Sequence, residues 1–168
     1  MRVPLRFKAT VRWSPDSTKL AGLTPDNQVR VWDADTYELL YSFKGHTRQP
    51  FSISWSPDST KIASAGLDKR VIIWDVVKAT RLKSWKAKSD IQTIDWSPDG
   101  KKLAGATRTV TGRAGLYSPT ITVWDSSNGN ILNTVENHVT TISDLAWNPD
   151  GKKIAVIDSD SVVEIWEV

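Results

Sequence analysis

Residues that commonly carry catalysis or bind metals are scarce in this sequence of 168 residues. It contains two His, His46 and His138, and no Cys. Without Cys there is neither a thiol nucleophile nor a thiolate zinc site, and two distant His cannot form a three-His metal site. No His-Glu-x-x-His, Gly-x-Ser-x-Gly or phosphate-loop pattern occurs. The sequence therefore predicts no catalytic residue, no cofactor and no bound metal.

Composition and charge are those of an ordinary globular domain. The chain is 39% apolar and 24% charged, and its net charge of +3 arises from 22 basic and 19 acidic residues. This balance is far short of the basic stripe typical of nucleic-acid binding. No apolar run is long enough for a membrane span, and residues 1–11 contain no signal-peptide core. Together with the absence of Cys, these features favour a cytoplasmic protein.

Tryptophan is the abnormal count, with nine Trp against three Tyr and three Phe. Eight of the nine belong to two periodic series. The first series precedes Ser-Pro-Asp or Asn-Pro-Asp, with spacings of 42, 41 and 51 residues, and consists of Trp13, Trp55, Trp96 and Trp147. The Trp of the second series lie 19, 19, 28 and 19 residues after those of the first, and each precedes Asp or Glu. They are Trp32, Trp74, Trp124 and Trp166. The chain therefore contains four copies of one unit, with nine additional residues in the third.

Each unit has the pattern of short strands, named a to d in chain order, that must position any site; strand d is present in the first three units. In the second unit, Phe51, Ile53 and Trp55 alternate with Ser and predict strand a. The Ser-Pro-Asp turn follows, because Pro presets a type I turn and Ser bonds back to the backbone. Strands b, c and d are predicted at 61–65, 71–74 and 81–85. Small residues in strand b, such as Ala63, would let neighbouring sheets approach closely. No segment has a sustained helical period, so the predicted fold class is all-β.

These residues resemble the WD-repeat β-propeller family, in which a repeat of roughly 40 to 45 residues makes one four-stranded blade and carries Gly-His and Trp-Asp dipeptides. The Trp-Asp ending occurs in three copies and as Trp-Glu in the fourth, whereas Gly-His is intact only at Gly45-His46. The resemblance implies a β-propeller unit of four WD-type blades spanning residues 1–168. The expected blades are approximately 1–46, 47–89, 90–138 and 139–168.

The resemblance also implies a structural hydrogen-bond relay of a His, a hydroxyl, an Asp and the strand-c Trp in each blade. Carried over by position, the expected members are His46, Asp68 and Trp74 in the second copy, His138, Asp160 and Trp166 in the fourth, and Thr24, Asp26 and Trp32 in the first. The hydroxyl position would hold Gly66 in the second copy and Asp158 in the fourth, so no complete relay is expected. A His–Asp pair also suits a general base, but the repeat context favours a structural bond.

The two ends of the repeat array are incomplete in this sequence. Only Glu167 and Val168 follow the last Trp, so the fourth copy contains no strand d of its own, and Met1–Phe7 is a poor candidate for it. Four blades would expose two apolar, Trp-bearing end faces. We therefore expect a homodimer that completes an eight-bladed ring. The alternatives are a fragment or engineered half of a larger propeller, or missing blades supplied by another polypeptide.

The expected function is a non-catalytic scaffold for protein–protein interaction, because propeller loops present a broad, rigid surface. Its partner is an unidentified protein or peptide. The most distinctive loop, 107–118, offers candidate partner-contact residues in Arg108, Arg113, Leu116 and Tyr117. The alternative for this loop is a tolerated surface insertion.

Two other functional classes have weaker support. A propeller hydrolase would need inward-facing acids, for which Asp95 and Asp144 beside strand a are the candidates. A nucleic-acid or phosphate site would use the Lys of two Pro-Asp-Gly-Lys-Lys turns, namely Lys101, Lys102, Lys152 and Lys153. Such Lys more often solubilise turns. The sequence therefore predicts neither an enzyme nor a membrane or nucleic-acid partner.

Overall fold

The computed structural model describes residues 10–108, 110–111, 116–117, 119–136 and 141–168, and the side chains of 10–107, 119–135 and 141–168. Within these ranges, no helix is long and apolar enough to cross a membrane. The strands are β1 (Val11–Trp13), β2 (Lys19–Leu23), β3 (Val29–Asp33), β4 (Leu39–Phe43), β5 (Pro50–Trp55), β6 (Lys61–Gly66), β7 (Arg70–Asp75), β8 (Thr80–Lys86), β9 (Asp90–Trp96), β10 (Lys102–Arg108), β11 (Val110–Thr111), β12 (Leu116–Tyr117), β13 (Thr120–Asp125), β14 (Ile131–Glu136), β15 (Ile142–Trp147), β16 (Lys153–Asp158) and β17 (Val163–Glu167).

Four antiparallel sheets follow one another along the chain. The first has the order β1-β2-β3-β4, the second β5-β6-β7-β8 and the third β9-β10-β13-β14. The fourth has three described strands, β15-β16-β17, and β11 pairs with β12 as a separate hairpin. The all-β class, predicted from the strand patterns and the lack of a helical period, is confirmed.

The turn between strands a and b closes because its side chains bond to its own backbone. The Ser56 hydroxyl donates to Asp58 and accepts the Lys61 amide at 2.9 Å. The fourth position of the turn is left-handed, with φ of 59° at Ser59 and 73° at Gly100. Gly adopts this region without steric cost. The turn is therefore specified locally, by residue types that recur in all four units.

The carboxylates of these turns predict a loss of stability in acid. Hydrogen bonds from the Ser14 hydroxyl and the Thr18 amide lower the pKa of Asp16 to about 2, and the Ser97 hydroxyl likewise lowers the pKa of Asp99. A carboxylate with a lowered folded-state pKa stabilises the fold above its unfolded pKa, and that contribution is lost as the pH falls through the folded pKa. We expect the free energy of unfolding to decrease from about pH 4 towards pH 2. Urea unfolding followed by Trp fluorescence measures it.

Asp99→Asn isolates one of these turns. The variant should lose part of the pH dependence below about pH 4, because one titrating carboxylate is gone. Asp35→Asn, at an exposed position in another turn, is the matched control. Identical pH profiles for Asp99→Asn and the unsubstituted chain would contradict the assignment.

The sheets stack face to face, with one apolar cluster at each junction. We name the face that carries the strand-c Trp the front face, and the opposite one the back face. At each junction, back-face residues pack on the front face of the next sheet. At the first, Ala21, Val29 and Val31 pack on Ile53, Trp55 and Trp74; at the second, Ala63, Val71 and Ile73 pack on Ile94, Trp96 and Trp124. At the third, Ala104, Ile121 and Val123 pack on Leu145, Trp147 and Trp166. The strand-b residues Ala63 and Ala104 are fully buried, which agrees with the close approach predicted for small residues.

Trp85, which belongs to neither periodic series, closes the outer part of the second junction. Its ring lies 6.5 Å from that of Trp124 and covers the turn at Gly129 in the third sheet. A Cβ at Gly129 would lie 2.6 Å from Cδ2 of Trp85, and its φ is 79°. Gly129 therefore satisfies both a left-handed turn and a close approach.

Candidate functional site

A buried series of hydrogen bonds joins the segment before the second sheet to the two central strands of that sheet. His46 Nδ1 lies 2.9 Å from Asp68 Oδ2, and His46 Nε2 lies 2.7 Å from Ser64 Oγ. Trp74 Nε1 donates to Ser64 Oγ at 2.8 Å. Because a carboxylate only accepts, His46 donates from Nδ1, and in the neutral imidazole Nε2 then accepts the Ser64 hydroxyl. Both ring nitrogens are engaged, so neither is free to take a proton from a substrate.

Burial isolates this relay from solvent. The side chains of His46 and Asp68 are 0% and 2% exposed. Burial alone would raise the pKa of Asp68, but the hydrogen bond from His46, with the amides of Thr47 and Arg70, holds it below its usual value. The relay thus ties the connection before β5 to strands β6 and β7.

The hydroxyl of the relay is Ser64 rather than the residue at position 66, and the expectation that no copy has a complete relay was wrong. Ser64 and Gly66 are two residues apart on β6, so strand alternation places both on the same face. The register between β6 and β7 decides which of the two lies near the Trp74 indole. It sets Ser64 opposite Ile72, two residues before Trp74. A Cβ at Gly66 would collide with the carbonyl of Gln49.

The same two-residue offset applies to the first copy. The register places Gly22 at the position of Ser64. Thr24 and Asp26 do bond to each other, but in an exposed turn where Asp26 also pairs with Arg30 at 2.8 Å. The Trp32 ring packs over Gly22, where an added Cβ would lie 3.1 Å from it. Thr24, Asp26 and Trp32 therefore do not form the arrangement of the second sheet.

The fourth copy has Val156 at the hydroxyl position. Asp158 accepts the backbone amides of Asp160 and Val162, both at 2.9 Å, and so shapes its own turn. Trp166 packs against the third apolar cluster. His138 lies outside the described residues, so its predicted place in a relay is not tested.

The innermost strands of successive sheets are joined by side-chain hydrogen bonds. Ser54 donates to Asp95 and accepts the Trp96 amide, both at 3.0 Å, and Asp95 accepts the Trp147 amide at 3.0 Å. Thr93 donates to Asp144 at 2.7 Å. Burial raises the pKa of Asp95 despite these bonds. Asp95 and Asp144 thus connect sheets, and the described residues include no group of three or more His, Asp or Glu that could hold a metal ion.

The other residues singled out from the sequence lie apart from the relay. Lys102 Nζ is 5.8 Å from the centre of the Trp147 ring, and Lys153 Nζ is 3.6 Å from Glu167. Lys101 and Lys152 are exposed. Arg108 lies in β10, and Leu116 and Tyr117 form β12, but these side chains and the whole of Arg113 lie outside the described part. Partner contact by this loop stays a prediction.

The front face of the first sheet carries large apolar side chains that no described sheet covers. Trp13 is 58% exposed, whereas Trp55 and Trp96, at the same position in the next two sheets, are each 7% exposed. Val11 is 53% exposed, whereas its equivalent Ile53 is 1% exposed. Neighbouring sheets therefore cover these positions in the interior of the stack but not in its first sheet.

The back face of the fourth sheet is uncovered in the same way. Ile157, Val163 and Ile165 are 38%, 61% and 67% exposed. Their equivalents in the three preceding sheets are all buried: Leu23, Val29, Val31, Ala65, Val71, Ile73, Ala106, Ile121 and Val123. Together with Asp144 and Ala146, Ile157 and Val163 line a shallow groove of about 190 Å³. Sequence periodicity pointed to exposed end faces, but the residues that form them follow from the register.

Stacked antiparallel sheets with one Trp at a repeated place in each third strand are the blades of a β-propeller. The family model described as "WD domain, G-beta repeat" matches residues 9–33, 37–75 and 129–167. The chain belongs to this WD40 family.

Two similar proteins match most of this chain at low identity, and a third matches a segment of it. The chain is 26% identical over 161 residues to the transcriptional corepressor LEUNIG_HOMOLOG of Arabidopsis thaliana, a match that covers 94% of the chain and 19% of the relative. It is 25% identical over 164 residues to the COMPASS component SWD3 of Saccharomyces cerevisiae, which covers 92% and 49%. A segment of 88 residues is 34% identical to protein HIRA of Dictyostelium discoideum, covering 46% and 7%. The chain thus spans less than half the length of these relatives.

Proposed function

We propose that this protein is a non-catalytic interaction scaffold whose two uncovered faces bind each other between two copies of the chain, giving an eight-bladed ring. Membership of the WD40 family supports the scaffold, as do relatives named as a corepressor and as a component of a complex. The proposed compartment is the cytoplasm, which suits a chain without Cys. The loop that contains β11 and β12 is the proposed contact with a further protein or peptide.

The observation that carries the proposal is the match between the two uncovered faces. At every interior junction, a back face of small and β-branched residues receives a front face with two Trp. The fourth sheet presents such a back face through Ala155, Val163 and Ile165, and the first sheet presents such a front face through Trp13 and Trp32. A second copy supplies the complementary face at both ends.

Polar groups support the same head-to-tail orientation. At two of the three interior junctions, the strand-a Trp donates to the preceding sheet: Trp55 Nε1 to the Arg12 carbonyl at 3.1 Å, and Trp147 Nε1 to the Asp95 carbonyl at 3.2 Å. At the third, Trp96 Nε1 donates to the Gly100 carbonyl of its own turn. The equivalent pair at the proposed junction is Trp13 Nε1 of one copy and the carbonyl of Ala146 in the other. Two copies make two identical junctions related by a two-fold axis, so the ring closes with eight blades, within the usual range of four to eight.

The mass in solution tests the proposed ring. Light scattering coupled to size exclusion should give twice 18.7 kDa across a dilution series. A uniform species of 18.7 kDa at every concentration would contradict self-association and favour the alternative, a fragment or half of a larger propeller without activity of its own. Masses that increase steadily with concentration would indicate an open filament instead of a closed ring.

A further inference from the structure

The second sheet and its flanking connections carry a concentrated positive charge. Residues 44–88 contain ten of the 22 Lys and Arg of the chain, but only three of the 19 acidic residues. By contrast, residues 141–168 contain two Lys and six acidic residues. The net charge of +3 for the whole chain therefore hides one strongly basic sheet.

Five of these ten basic residues lie on or directly beside β8, the outer edge strand of the second sheet. Arg81, Lys83 and Lys86 are exposed on this seven-residue strand, and Lys78 and Lys88 are exposed just before and after it. At about 3.4 Å per residue, β8 extends over roughly 23 Å. It is the last strand in the order β5-β6-β7-β8, so its outer backbone edge has no partner strand among the described residues.

The acids of the second sheet do not neutralise this strand. Asp68 is buried in the relay, and Asp75 accepts the Lys78 backbone amide at 2.8 Å. Asp58 shapes its own turn and lies 3.5 Å from Lys61. On the side of the third sheet, Asp99 shares a groove with Lys83, but its carboxylate accepts the Ser97 hydroxyl and the Lys101 amide. The described side chains include no ion pair on Arg81, Lys83 or Lys86 within the 4.0 Å range of the pairs above.

General protection of sheet edges does not account for this pattern. Lys on an edge strand discourages unwanted pairing. However, the corresponding outer strands β4 (LLYSF) and β14 (ILNTVE) contain neither Lys nor Arg. Leu39 and Ile131 on them are 52% and 56% exposed. The positive charge is thus specific to β8.

We propose that β8 binds an extended acidic segment of a polypeptide, which adds to the edge of the second sheet as a further strand. An open edge offers main-chain hydrogen bonds to such a strand, and alternate side chains supply specificity. Nucleic acid fits less well, because single strands need aromatic rings for stacking. The aromatic residue of β8, Trp85, is half-buried against Gly129. The site is independent of ring formation, since β8 lies at the outer edge of an interior sheet.

Fluorescence anisotropy at low salt tests the proposal with a labelled 12-residue peptide of alternating Glu and Thr. The Gln-for-Glu peptide and a 20-base-pair DNA duplex are the comparison ligands. The acidic peptide should bind, and its affinity should decrease as salt is added. Arg81→Glu/Lys83→Glu should weaken binding about tenfold or more, because each exposed ion pair contributes a few-fold and becomes a repulsion.

Lys152→Glu/Lys153→Glu makes the same change of charge at an exposed turn of the fourth sheet, and should leave binding within about twofold. Equal losses in the two variants, tighter binding of the duplex, or no binding of the acidic peptide would each overturn the proposal. Two further peptides test strand addition, one N-methylated at its odd-numbered residues and the other at its even-numbered residues. One of them should bind more weakly, and unchanged binding by both would contradict pairing at the edge.

Discussion

Replacing Ile165 with Glu is expected to convert a species of twice 18.7 kDa into one of 18.7 kDa. Ile165 is 67% exposed, whereas Val31, Ile73 and Val123 at the same position of the other sheets are at most 2% exposed. In the proposed ring, the Glu carboxylate would be buried in an apolar junction without a partner. Such burial costs several kcal/mol, so the dissociation constant should rise about a thousandfold or more. Light scattering coupled to size exclusion measures the change.

Ile131→Glu is the matched control for this substitution. Ile131 is 56% exposed, but it lies on the outer strand β14, away from both uncovered faces. This variant should keep the dimer mass. An unchanged mass for Ile165→Glu, with the far-UV circular dichroism of the unsubstituted chain, would exclude the back face of the fourth sheet from the interface.

Mixing two defective chains distinguishes head-to-tail from face-to-face association. Trp13→Glu should also give a monomer, because it places a charge on the front face of the first sheet. A mixture with Ile165→Glu retains one intact junction, formed by Trp13 of one chain and Ile165 of the other. The mixture should therefore recover the dimer mass, whereas two front faces bound to each other would leave Ile165→Glu dimeric by itself.

Replacing Ser64 with Ala is expected to cause a large loss of folding stability. The hydroxyl donates to His46 Nε2 and accepts from Trp74 Nε1, and Ser64 is 0% exposed. Its removal leaves both partners buried without a hydrogen bond. The free energy of unfolding should fall by about 2–6 kcal/mol, from two groups at about 1–3 kcal/mol each. Urea unfolding monitored by Trp fluorescence measures it.

Ser42→Ala is the control for the Ser64 variant. Ser42 is exposed on β4, so its replacement should change the free energy of unfolding by less than about 0.5 kcal/mol. Equal effects of the two substitutions would mean that the relay contributes nothing beyond an ordinary surface hydroxyl. Activity measurements are not required, since the test depends only on folding.

The strands were predictable because their signals are local. In the second unit, strands predicted at 61–65, 71–74 and 81–85 are observed as β6, β7 and β8, with ends that differ by at most one residue. Alternation of apolar residues sets a face, and the Ser-Pro-Asp turn sets an end, within a few residues of each other. The same local patterns recur in the other units.

The relay hydroxyl was not predictable in this way. Ser64 and Gly66 share one face of β6, so a pattern with a period of two residues assigns them equally. The choice depends on which one the His46 ring and the Trp74 indole reach, and those groups come from 18 residues earlier and 10 residues later. The sequence signal that could have identified the relay hydroxyl is a Ser ten positions before the strand-c Trp, as Ser64 is before Trp74.

The sequence by itself determined four repeated units, their strands and turns, their place in the WD40 family, and apolar residues at both ends of the array. Only the tertiary structure decided that Ser64 completes a relay, that Asp95 and Asp144 connect sheets, and that Arg81, Lys83 and Lys86 lie on an open edge. Composition and periodicity report short-range patterns along the chain. Register, burial and charge clustering depend on residues that are distant in sequence, and they exist only once the sheets have stacked.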